Sequence, residues 1–138
     1  PVCLLTAGMG LAAAGVTVSI GQVDDEETHR LHYARQYAGN LVALGRVQGA
    51  TGLNWDAALA SITNGPAVAA GVDDVVGSLR PGRVGDLVIW DGDPLEVTSA
   101  PVAVFIDGVE QSMDSRQRQL RDRYRDPVEG ALPNAYDR

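Results

Sequence analysis

A mixed fold, an α/β segment followed by a small antiparallel β unit, is what this 138-residue sequence predicts, and three patterns carry the prediction. The β-branched run "VTVSI" at residues 16–20 precedes a helical stripe of Leu31, Ala34, Ala38, Leu41 and Val42, so a strand leads into an amphipathic helix. Residues 86–90, 102–106 and 109–111 read as short strands, the last two joined by Asp107-Gly108, a pair suited to a type I′ hairpin turn. A charged run, "RQRQLRDRYRD", follows them. The length is that of one ordinary domain, and 45% hydrophobic against 21% charged residues belongs to a folded chain, one that 16 glycines and few aromatics make rich in turns.

Each element has a local reason. A helical patch at residues 11–14 ends at Gly15, a natural left-handed stop before the run at 16–20. The stretch "QVDDEETHR" loads acids where a helix begins, and the helix extends over residues 28–44. Gly45, Gly49 and Gly52 loosen the chain until Asn54 offers an N-cap for "WDAALASI", whose Trp55, Ala58, Leu59 and Ile62 share a face. The "NGP" at 64–66 breaks that helix, and Pro66 suits the first position of "AVAAG", which Gly71 ends. The stretch "GSLRPGRVGDLVIWDGDP" is a strand at 86–90 bracketed by turns. From Ser115 a helix is charged nearly all round, with Leu120 and Tyr124 at the i, i+4 spacing that would dock it, before a loose tail with Pro127 and Pro133. The organisation is thus an αβ segment with helices at 1–72, strands and a hairpin at 73–113, and a charged helix with its tail at 114–138.

Charge and cysteine usage exclude several classes. A net charge of −7 repels phosphate backbones and anionic lipid, so neither nucleic acid nor a membrane surface is an expected partner. Cys3 is the only cysteine, which excludes an internal disulfide and any multi-cysteine metal site. No apolar run reaches the roughly 18–20 residues of a membrane span, and the first 20 residues, broken by glycines and without a basic flank, are no signal peptide. The compartment stays open. The chain starts at Pro1 rather than Met, which permits it to be a piece of something longer.

Chemistry-bearing residues are few. Asp24, Asp25, Glu26 and Glu27 follow a strand of parallel type, the place where α/β barrels keep catalytic groups, although acids there also serve the helix dipole. His29 and His32 share a face with Glu26, but their H-x-x-H spacing is not that of a metalloprotease helix, and a solvated or tyrosine-packed histidine face accounts for them. Asp91 and Asp93 lack EF-hand periodicity and read as turn residues beside Gly92 and Pro94. No G-x-S-x-G elbow is present, and "GSLRPG" lacks the helix context of a phosphate loop. The arginines after Ser115 are interleaved with Asp122 on an acidic chain, so they read as a solvated helix.

The order "ALASITNGPAVAAGVDDVVGSLRPGRVGDLVIWDGDPLEVTSAPVAVFIDG" resembles the carboxyl-terminal signature of the metal-dependent amidohydrolase superfamily, in particular its imidazolonepropionase-like and prolidase-like members. That family reads A-L-x-x-x-T-x-N-P-A and then G-x-x-x-x-x-G-S-L-x-P-G-K-x-A-D-L-V. Here Ala58, Leu59, Thr63, Asn64, Pro66 and Ala67 follow the first part, with Gly65 inserted. Gly77, Ser78, Leu79, Pro81, Gly82, Asp86, Leu87 and Val88 follow the second, with Arg83 for the usual lysine and Gly85 for the usual alanine. Upstream, "AGVTVSIG" is similar to the family's last barrel strand and the helix from Thr28 to the barrel helix after it.

The resemblance implies the last βα unit of a TIM-like barrel followed by the carboxyl-terminal strands of a composite β-sandwich, the barrel being incomplete, since a whole one needs about 250 residues. It implies a parent that hydrolyses amide or cyclic amide carbon–nitrogen bonds with water activated by a zinc-like divalent metal. The family's H-x-H, bridging lysine and two later histidines have no counterpart here. Asp24 is the one catalytic and metal-ligand candidate: it falls one residue past the family position, which Val23 occupies, and a bulge in "QVDD" would turn it into the barrel mouth as metal ligand and proton acceptor. No cofactor is expected for the chain alone, and the chain alone is expected to be inactive. Its expected partner is a missing amino-terminal barrel portion, carried by the parent or encoded separately, or a second copy met through unpaired strand edges. The alternative is a free-standing, non-catalytic oligomerisation module derived from the same fold.

Overall fold

A computed structural model describes residues 10–12, 14–21 and 33–125. Asp24, with the other acids at 25–27, His29 and His32, lies outside the described residues. Within them the order is α1 (Tyr33–Leu44), α2 (Trp55–Ala60), α3 (Asn64–Ala70), β1 (Leu87–Trp90), β2 (Pro101–Ile106), β3 (Val109–Glu110) and α4 (Arg116–Arg125).

Helical backbone at 10–12 closes as expected at Gly15: Val16 N–H donates to the Leu11 carbonyl (2.9 Å) and Gly15 N–H to that of Ala12 (3.0 Å). The run at 16–20 departs from expectation. It forms no strand, because no second strand pairs with it among the described residues and β-branched residues cannot make a ladder alone. Ile20 N–H donates instead to the carbonyl of Ser61 (2.9 Å), which fastens the segment to the end of α2.

Helix α1 buries Ala38 and Leu41, two residues of the expected stripe. The chain then turns back along it, Leu53 N–H donating to the Leu41 carbonyl (3.0 Å). Asn54 caps α2 as expected, its side chain accepting from Ala57 N–H at 2.8 Å. The "NGP" does not delay the next helix, which corrects the sequence reading. Helix α3 begins at Asn64 with Pro66 in its first turn, where a missing N–H has no helical acceptor to lose. Gly71, at φ 69°, ends α3 as expected.

The stretch after α3 contains the turn Arg80-Pro81-Gly82-Arg83, with Arg83 N–H donating to the Arg80 carbonyl (3.2 Å) and Gly82 at φ 84°, the geometry of a type II turn with proline second and glycine third. The three strands form one antiparallel sheet in the order β1-β2-β3. Leu87 faces Phe105, Val88 faces Val104 and Ile89 faces Ala103, with a bulge before Trp90 meets Pro101. The expected first strand loses Asp86, whose carboxylate accepts from Asp107 N–H instead (2.8 Å). Asp107 and Gly108, at φ 52° and 74°, make the turn with both central residues left-handed that the dipeptide signalled.

Helices and sheet meet at Leu95. This residue of the β1–β2 connection is buried with Ala38 and Ala58, and Ile20, Val42, Leu53, Leu59 and Ile62 pack around them. Gly39 makes room, because a Cβ there would run into the Leu95 carbonyl. Helix α4 stands apart: none of its residues is buried, and the Leu120–Tyr124 stripe expected to dock is exposed.

Candidate interaction surface

The described residues include no group of three or more His, Cys, Asp or Glu side chains able to hold a metal ion. The metal-ligand candidate read from the sequence, Asp24, is outside the described residues. What the fold does assemble is an apolar groove of about 720 Å³ with an open sheet edge beside it.

One wall of the groove comes from the end of α2 and the turn after it, through Leu59, Ile62 and Thr63. The facing wall is the sheet, through Leu87, Val88, Val104, Phe105 and Ile106. Residues 76–79 and Val84 close the space between them. Most of these side chains are apolar, the kind of surface a core presents when something covers it. Charge sits at the rim, with Arg35 and Asp86 both in the lining.

Arg35 is held in place by its surroundings. Its guanidinium stacks 4.6 Å from the centre of the Trp90 ring, and Nη1 donates to the carbonyls of Pro94 (3.1 Å), Glu96 (2.9 Å) and Ser99 (3.2 Å). These bonds tie α1 to the β1–β2 connection. A second tie runs from Trp55 Nε1 to both oxygens of Asp93 (2.9 and 3.0 Å), and Asp93 Oδ1 also accepts from Leu95 N–H (2.9 Å). Asp91 Oδ1 accepts from Ala100 N–H at 2.8 Å. Asp91 and Asp93 are thus turn residues, as their sequence context indicated, and their carboxylates are occupied in shaping the connection.

Sequence reasoning singled out neither Arg35 nor Leu95. Arg35 precedes the Trp90 and loop carbonyls it meets by some 55 or more residues, and no local pattern reports such a contact. The signal for Leu95 was an isolated apolar residue inside a turn motif, a position that burial alone explains.

The edge of β1 is open among the described residues, since β1 pairs with β2 alone. Gln111 N–H donates to the Val104 carbonyl (2.8 Å), so Val104 faces β3 and its partner Val88 turns its own N–H and C=O to the open side. Val88 and Ile89 are exposed. The strand carries none of the charges or prolines with which edges are usually protected. Arg83 Nη1 is buried without an acceptor among the described residues.

Comparison with known proteins relates the chain to longer ones. The family model described as "Amidohydrolase family" matches residues 10–110, more than half of the chain. The chain is similar to the amidohydrolase tasK of Hapsidospora irregularis, 48% identical over 63 residues that make up 46% of this chain and 6% of that protein. It is also similar to a urease subunit alpha of Natronomonas pharaonis, 48% identical over 33 residues, 24% of this chain and 6% of that one. A solved amidohydrolase from Thermotoga maritima superposes with a TM-score of 0.62 at 29% identity, covering 77% of this chain and 25% of its own. The stretches matched are therefore a small part of each relative.

Proposed function

This chain belongs to the amidohydrolase family, and on that premise we propose that it is the carboxyl-terminal portion of a hydrolase acting on amide or cyclic amide carbon–nitrogen bonds. The observation that carries this reading is the match to a quarter of the solved amidohydrolase, together with an uncovered groove and strand edge on this chain. In this reading the chain supplies the last barrel unit and the carboxyl-terminal strands of a composite β-sandwich. The open side of β1 takes a strand from the missing amino-terminal part. A zinc-like divalent metal belongs to the whole protein, with Asp24 as this chain's contribution to holding it.

The chain alone is inactive in this reading, because lowering the pKa of a bound water takes several fixed ligands and one carboxylate does not provide that field. Purified chain, incubated with zinc, manganese or cobalt and a panel of linear and cyclic amides, is expected to show no turnover. Metal-dependent turnover that disappears in Asp24→Ala overturns the claim of inactivity. The coding sequence upstream of Pro1 tests the parentage: an in-frame His-x-His followed by repeated βα units is the expected finding.

The uncovered edge also favours a second reading, a free-standing module without catalysis that pairs β1 with β1 of another copy. A start codon immediately before Pro1, together with dimers that dissociate on Val88→Pro, is the result this second reading requires. That substitution removes an N–H which points to the open side and leaves the β1–β2 ladder intact.

A further inference from the structure

The helix α4 carries five arginines and one aspartate, whereas residues 33–113 carry nine carboxylates against four arginines. The molecule is therefore an acidic body bearing a basic helix. Within that helix the only ion pair among the described residues is Arg121 with its neighbour Asp122, at 2.6 Å. Leu120 and Tyr124 lie one turn apart on one side of the helix, 40% and 57% exposed, flanked by Arg116 and Arg123 on one side and Arg121 on the other. A helix with an apolar stripe and no covered residue lacks the tertiary packing that ordinarily sustains it.

The groove offers the complementary surface. Its lining is mostly apolar and includes two charged residues, Arg35, whose guanidinium is taken up by Trp90 and three loop carbonyls, and Asp86, which makes no ion pair among the described residues. The Asp86 carboxylate accepts from the backbone of Asp107, an exposed acid outside the lining. We propose that α4 of one copy lies in the groove of a second copy, Leu120 and Tyr124 against its apolar walls and the flanking arginines against Asp86 and Asp107. The charge pattern selects this occupant: the body that repels nucleic acid and anionic lipid is the body that attracts an arginine helix. A reciprocal exchange covers both grooves and both stripes in one closed pair. It shares with the second reading above the need for another copy, but it uses the groove, which Leu87 and Val88 help to line, rather than the backbone edge of β1.

Light scattering on the full chain at micromolar concentration tests it. The expected result is a dimer at 50 mM NaCl whose dissociation constant rises about tenfold or more at 500 mM, since the contacts are surface charges around an apolar stripe. Leu120→Glu with Tyr124→Ser is expected to give a monomer with an unchanged circular dichroism spectrum apart from α4, because neither side chain is buried in the single chain. Asp86→Asn, which keeps the acceptor for Asp107 N–H, is expected to weaken the dimer several-fold. A monomer at all salt concentrations overturns the proposal, including one in which α4 occupies its own groove. So does a dimer kept unchanged in Leu120→Glu with Tyr124→Ser, which is the signature of pairing through a surface other than the α4 stripe. A monomer that binds RNA or anionic vesicles through α4 overturns it as well.

Discussion

At Gly65 a methyl group would lie 2.8 Å from the carbonyl oxygen of Ala60 and 2.9 Å from that of Val18. Gly65 therefore serves a close approach, letting the start of α3 rest on the segment at 16–20. Gly65→Ala is expected to destabilise the chain by about 1–3 kcal/mol, read as a lower urea midpoint at unchanged slope. Asn54 and Thr63 both precede helices, yet Asn54 alone makes a cap bond with its side chain. Asn54→Ala is expected to cost about 1 kcal/mol in the same measurement and Thr63→Ala distinctly less. The cap at Asn54 was readable in the sequence because it depends on neighbours three residues away. The role of Gly65 was not, because Val18 is remote from it along the chain.

Among the elements, the connection from Trp90 to Pro101 holds helices and sheet together. Leu95 is 5% exposed, and its neighbours Asp93 and Glu96 receive bonds from Trp55 and Arg35. Leu95→Ala is expected to cost about 2–5 kcal/mol, with the range set by how far Leu59 and Ile62 relax into the space. Near- and far-ultraviolet circular dichroism should then lose stability together, since one residue serves both layers. Helix α4 is the contrasting element. Because none of its residues is buried, Leu120→Ala with Tyr124→Ala is expected to change the unfolding free energy of the single chain by no more than about 0.5 kcal/mol, measured in dilute protein at high salt. A larger loss would mean that α4 is packed on its own chain.

For the whole molecule the decisive fact is how little is buried. Ala38, Leu41, Ala58, Ala67 and Leu95 are the buried hydrophobic residues among those described, and three of the five are alanines. Val88, Ile89, Val102, Ile106 and Val109 of the sheet are all at least 42% exposed. A sheet has two faces and two edges to satisfy, and here one face borders a groove while β1 has no outer neighbour among the described residues. Added covering surface is therefore expected to raise stability: the melting temperature of the chain should increase with its own concentration if copies cover one another, and with addition of the missing portion if the parent does. The two responses separate the readings of this chain without an activity assay.

By itself the sequence determined what neighbours along the chain decide. The caps at Gly15, Asn54 and Gly71, the Pro81-Gly82 turn and the Asp107-Gly108 hairpin need only local dihedral preferences and bonds spanning a few residues. The family signature was legible for the same reason, being built largely of these turns around the strand at 87–90. Tertiary structure alone decided that residues 16–20 stay without a ladder, that Leu95 enters the core, that Arg35 clasps the β1–β2 connection, and that the groove and the β1 edge are left open. Strand pairing and burial depend on what lies across the fold. That partner is set by residues far along the chain or on another molecule, and periodicity does not encode its presence.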